Sequence, residues 1–105
     1  MDQALGAAEQ QLIRQALRRF ELEGVRFHAL RTRQAGRRAF VSVHVLVPQT
    51  WTVQRGHDEA EHVEDAVRES LPYATVFTHV EPMEDPRSYG DIALDREQRP
   101  AGPES

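Results

Sequence analysis

Five histidines, at positions 28, 44, 57, 62 and 79, are the side chains of this 105-residue sequence best suited to chemistry. The chain has no cysteine, which excludes disulfides, Cys-rich zinc sites and CxxC copper chemistry. Metal chemistry would therefore rest on imidazole and carboxylate. His79 and Glu81 are two residues apart in a β-rich stretch, so both fall on one strand face. Val41, Val43, Val45 and Val47 alternate with Ser42 and His44; the valines face a core and His44 points away from it. By the same alternation His28 shares a face with Arg26 and Leu30. Three strands thus offer His28, His44, His79 and Glu81 on the uncovered side of a sheet or its rim. His57, four residues after Val53 and three before Ala60, falls on the inward stripe of a helix. His62 sits among Glu59, Glu61 and Asp65, where a solvated charged face accounts for it. Imidazole nitrogens and a carboxylate oxygen are ordinary ligands for zinc and similar divalent ions. Four imidazoles and one carboxylate suit two ions if the carboxylate bridges. The spacings alone do not separate this from histidines scattered over surface and rim.

Other chemistries find less support. The sequence holds no P-loop, no GxSxG and no HExxH. Glu81 beside a metal could act as a general base, which keeps a small metal-dependent hydrolase as an alternative. Yet every polar candidate is already wanted as a ligand, and no separate base or oxyanion group stands out. The chain reads as a binding module and not an enzyme. A second feature is the basic stretch Arg31, Arg33, Arg37 and Arg38. Its functional reading is phosphate or lipid-headgroup contact. The favoured reading is a solvated turn whose arginines pair with the acidic helix Asp58–Glu69. No aromatic residue interleaves with these arginines in the sequence, so stacking on nucleic-acid bases has little support.

The elements that must position these residues follow from periodicity. Leu12, Ile13, Ala16, Leu17 and Phe20 form one apolar stripe of a helix over Ala7–Glu23, and Gly24 can take the left-handed conformation that ends it. A strand over Val25–Arg33 follows, then a turn in which Gly36 supplies the permissive backbone. The β-branched run Arg38–Val47 is the second strand, stopped by Pro48. Thr52 caps a second helix over Val53–Leu71, with Val53, Ala60, Val63, Ala66 and Val67 as its stripe. Pro72 closes it, and Tyr73–Glu81 is the third strand. The order α-β-β-α-β gives an antiparallel hairpin followed by a crossover unit, which should be right-handed. The predicted fold is a small α+β sandwich of reduced ferredoxin-like type: a three-stranded mixed sheet with two helices on one face.

Length and composition agree with one small domain. With 39% hydrophobic residues and 29% charged, the chain can build one modest core. No apolar run approaches the roughly 20 residues of a membrane helix, and the N-terminus shows no basic segment followed by an apolar one. A net charge of −4 argues against a general nucleic-acid binder. Composition changes after Glu81: Pro82, Pro86, Pro100 and Pro103 accompany six acids and three arginines. Residues 1–81 are therefore assigned to the folded domain and 82–105 to a flexible acidic, Pro-rich tail.

Five segments, taken in order, resemble the cytoplasmic C-terminal domain of cation diffusion facilitator transporters, the metal-ion/proton antiporters. Met1-Asp2-Gln3-Ala4-Leu5 resembles the segment after their last membrane helix. His28-Ala-Leu-Arg31-Thr32-Arg33-Gln-Ala-Gly36 resembles their first strand and turn, and Phe40-Val-Ser-Val-His44-Val their second strand. Thr52-Val53 followed by His57 is similar to the start of their second helix. Thr78-His79-Val80-Glu81-Pro82 is similar to the end of their third strand. The resemblance covers residues 1–82. It implies a homodimer with metal at or near its interface, and His28, His44, His57, His79 and Glu81 as ligands of a two-metal site. The family often has aspartate where Glu81 stands, and an alanine where Gly56 stands. Asp2 is similar to an acid that joins a charge interlock near the membrane in some members. The implied ion is Zn2+, with Fe2+, Co2+, Ni2+, Mn2+ or Cd2+ as chemical alternatives. The implied setting is the cytoplasmic side of an inner or plasma membrane, with the transporter's own membrane domain as partner and no nucleic acid. A free-standing soluble metal carrier is the alternative.

Overall fold

The structure, a computed structural model, describes residues 3–84. Its elements run α1 (Ala7–Leu22), β1 (Arg26–Ala35), β2 (Arg38–Val47), α2 (Val53–Ser70) and β3 (Ala74–Pro82). The sheet order is β1-β2-β3, antiparallel between β1 and β2 and parallel between β2 and β3. This is the expected α-β-β-α-β sandwich. Strand β2 lies in the middle, so its valines are the floor of the core: Val41, Val43, Val45 and Val47 are all buried. Burying each such side chain contributes about 1.5 kcal/mol or more before entropy is counted. Ile13, Leu17 and Phe20 of α1 and Val63 and Val67 of α2 close over them. Leu12 was expected on this stripe but is 42% exposed; the true stripe is Ile13, Leu17 and Phe20, spaced by four and three residues.

Local signals end the elements as read. Gly24 (φ 100°) follows α1, and Gly36 (φ 62°) forms the β1–β2 turn. The Thr52 hydroxyl accepts the Arg55 amide at 3.0 Å and so caps α2. The Thr78 hydroxyl donates to Glu64 Oε2 at 2.6 Å, tying β3 to α2. Strand β3 continues through Pro82. The Met83 amide donates to the Val47 carbonyl at 2.7 Å, and Glu84 Oε1 accepts from the Gln49 amide at 2.9 Å. Residues 82–84 are thus tied to the domain; the rest of the assigned tail, and Asp2, lie outside the described residues.

Three details differ from the sequence reading. First, strand β1 carries a bulge: His28 pairs with His44, but the next pair is Arg31 with Ser42. Ala29 sits there at φ 58°. One extra residue reverses the alternation, so Leu30 packs against the core instead of sharing the face of His28. Arg31 and Arg33 now join His28 on the open face. Second, the arginines of the hairpin do not face the acidic helix. Arg33 pairs with Phe40 across the strands, on the face away from the buried valines. The Arg33 and Arg38 guanidinium groups lie over the Phe40 ring at 4.2 and 5.4 Å. The register therefore inserts an aromatic ring that the linear arginine run does not show. Third, α2 turns Gly56, Ala60, Val63, Ala66 and Val67 inward. Val53 is 91% exposed, and His57, one residue past Gly56, points out with it.

Candidate metal centre

Strand register builds the centre. His28 pairs with His44 across β1 and β2, and His44 pairs with His79 across β2 and β3. One imidazole from each strand therefore lies in a row perpendicular to the strands, on the face opposite the helices. Ring centroids are 5.4 Å apart for His28 and His44 and 5.0 Å for His44 and His79, each pair edge to face. The bulge at Ala29 falls directly after the first of these histidines.

Glu81 is two residues beyond His79, and its carboxylate is among all three rings. Oε1 is 3.8 Å from His28 Nε2. Oε2 is 3.5 Å from His44 Nδ1 and 3.4 Å from His79 Nδ1. The Glu81 side chain is 12% exposed and that of His28 is 10%. Leu46, fully buried, pairs with Glu81 and provides an apolar wall beside it. A carboxylate so withdrawn from water requires positive charge or hydrogen-bond donors to offset its lost solvation.

The donor set fits a divalent ion. Ligand atoms of His28, His44 and Glu81 all lie within 4.8 Å of one another. Two ligand atoms bound to one tetrahedral zinc at about 2.1 Å lie about 3.4 Å apart, close to the nitrogen–oxygen separations around Glu81. Glu81 Oε1 is buried and accepts no hydrogen bond among the described residues, leaving lone pairs for a metal.

Of the five residues singled out in the sequence, the structure brings four together: His28, His44, His79 and Glu81. His57 stands apart. Its side chain is 61% exposed, and Nε2 lies 3.3 Å from Glu61 Oε2 one helical turn on. The inward placement expected for it fails because Gly56, not His57, is the contact point. A β-carbon on Gly56 would lie 3.3 Å from Val80 Cγ1, so the helix approaches β3 closely there. His57 and Glu81 nevertheless line one groove of about 420 Å³, together with Val47, Trp51, Val53 and Val80. Sequence reasoning missed Trp51, whose ring carries the Arg55 guanidinium at 3.9 Å; an aromatic just before a helix cap was its only signal. His62 is exposed on the outer face, as expected.

Residues 5–83 match the family model for the cytoplasmic domain of cation efflux proteins. The chain belongs to this family. It is 53% identical over 89 residues to the uncharacterized transporter sll1263 of Synechocystis sp., covering 85% of this chain and 29% of that protein. It is 30% identical over 84 residues to the cation-efflux pump FieF of Pectobacterium atrosepticum, covering 79% of this chain and 27% of that one. The chain thus spans less than a third of the length of these relatives. Among solved structures, CzrB in its Zn form superposes with a TM-score of 0.68 at 31% identity, over 78% of this chain and 93% of that chain.

Proposed function

We propose that this domain is the metal-sensing and dimerising module of a divalent-cation efflux transporter, with Zn2+ as the ion. The observation that carries the reading is the Glu81 carboxylate, withdrawn from solvent and surrounded by the three in-register imidazoles of His28, His44 and His79. Histidine with carboxylate also suits Fe2+, Co2+, Ni2+, Mn2+ and Cd2+, and supply in the cell selects among them as much as affinity does. The relationship to a cation-efflux pump supports metal as the ligand, and the Zn form of CzrB supports zinc first. The role is binding and not catalysis, because each polar group at the site serves as a ligand and none is left to move a proton on a substrate.

His57 is assigned to the same function through a homodimer. It is exposed on the flank of the groove that Glu81 also lines, where a second copy can bring it to a shared site. Metal then changes how two protomers sit together, and the domain passes that change to the membrane part of the protein. It can shift that equilibrium only by its difference in affinity for the two arrangements. Calorimetric unfolding with and without zinc tests the reading. Zinc at neutral pH raises the melting temperature of the wild-type chain, and Glu81→Gln, which keeps shape but removes charge, loses most of that gain. An equal gain in Glu81→Gln would refute a carboxylate-centred site.

A further inference from the structure

We propose that the β1–β2 hairpin end of the domain is a docking surface for the anionic headgroups of a lipid bilayer. The inference rests on the transporter reading, which supplies the membrane, but is drawn from a different part of the molecule. Between Glu23 and Asp58 the sequence has no acidic residue and six arginines: Arg26, Arg31, Arg33, Arg37, Arg38 and Arg55. Five of the six lie in the β1–β2 hairpin, and the four toward its turn, Arg31, Arg33, Arg37 and Arg38, are all exposed. The acids collect elsewhere, chiefly along α2.

The chain enters the domain at this same end. The Gln34 amide donates to the Gln3 carbonyl at 2.6 Å, and the Gln3 amide donates back at 3.3 Å. The Leu5 amide donates to the Thr32 hydroxyl at 3.0 Å. The entering segment is therefore pinned along the last residues of β1, beside the arginines. Arg14 and Arg31 line one hollow with Ala4, so basic groups flank the entry on both sides. Tyr73, half exposed, precedes the start of β3, where Ala74 pairs with Ala39; a tyrosine there suits a boundary that is apolar on one side and wet on the other. Among the described residues, Glu9 in the first turn of α1 and Glu69 in the last turn of α2 are the acids of the helix ends nearby, and the arginines outnumber them. Arginine near an anionic leaflet gains about fivefold in partitioning per side chain, screened within a Debye length. The phosphates of a bilayer favour this planar, fork-shaped donor. The metal row is at the other end of the strands: six residues at about 3.3 Å each put about 20 Å between Arg38 and His44.

The test is sedimentation of the chain with vesicles of phosphatidylcholine alone and of phosphatidylcholine with a third phosphatidylglycerol. Binding is expected to the anionic vesicles only, to fall with salt, and to persist in millimolar glycerophosphate, which offers the headgroup without the surface. The triple variant R33Q/R37Q/R38Q should bind about a hundredfold less, which is the fivefold step taken three times. The variant R18Q/R19Q/R55Q removes equal charge at the opposite end and should bind as wild type. Equal losses in the two triples, no preference for anionic vesicles, or equal binding to single-stranded RNA would each overturn the proposal. Zinc-induced thermal stabilisation is measured on the same samples. If it persists while vesicle binding is absent, the docking surface fails and the metal reading stands. If it is absent from every sample, the metal reading fails by itself.

Discussion

At the scale of single residues, an ion at the proposed site would compete with protons for the lone pairs of the Glu81 carboxylate and its three imidazole neighbours. A ligating imidazole must give up the lone pair that a proton would take, and imidazole ordinarily titrates near about 6.5. Zinc stabilisation is therefore present at pH 7.5 and lost as pH falls below about 6; equal melting shifts at pH 7.5 and pH 5 would rule out histidine ligation. The histidines should also differ among themselves. His79→Ala weakens zinc binding in a titration because its Nδ1 reaches Glu81 Oε2 at 3.4 Å, whereas His62→Ala leaves binding unchanged. His57→Ala weakens binding only where two copies meet, so its effect fades on dilution. Ala29 is a different case. An alanine at φ 58° has its β-carbon close to a carbonyl oxygen, costing about 1–2 kcal/mol. Ala29→Gly removes that strain while loosening the unfolded chain by about 0.4–1 kcal/mol. The expected net is a gain of about 0.5 kcal/mol in urea denaturation of the metal-free protein; a loss of stability would show that the bulge is not strained.

At the scale of elements, Thr52 holds the first turn of α2 through one hydrogen bond to the Arg55 amide. Thr52→Ala should cost about 1 kcal/mol, measured by denaturant midpoint. The cap was legible in the sequence, as were Gly24, Gly36 and all five elements, because each rests on a local rule about backbone or alternation. The valine row of β2 told which face was core, and hence that His44 faced away from it. Two things were not legible. Nothing in the tripeptide His28-Ala29-Leu30 announces a bulge, since the residue in the left-handed region is an alanine and not a glycine. That hid the position of Leu30 and the migration of Arg31 and Arg33 to the open face. Ala60, Val63, Ala66 and Val67 face inward as read, but the first turns of α2 were misread, because Val53 is apolar yet exposed while the inward contact at Gly56 has no side chain to betray it. The histidine row itself was legible as a set but not as a line, because register between strands is a property of pairing and not of any one segment.

At the scale of the whole molecule, the proposal is a pair of domains whose arrangement tightens with metal. The absence of cysteine makes a single introduced one unique, and Glu69 is exposed on the outer side of α2. Spin labels at Glu69→Cys should show a narrower distance distribution between protomers with zinc than without; identical distributions with zinc bound would mean storage and not sensing. The three imidazoles have a further consequence within one protomer. They come from both edges of the sheet and from its middle, separated by 16 and 35 residues of chain. An ion held by His28 of β1, His44 of β2 and Glu81 of β3, whose ligand atoms lie within 4.8 Å of one another, would act as a crosstie across the full width of the sheet. Fraying of either edge strand would cost a ligand, so β1 and β3, which share no hydrogen bonds, would open and close as one. Amide exchange should then slow together on Phe27 and Val80 when zinc is added, though neither residue touches the ion.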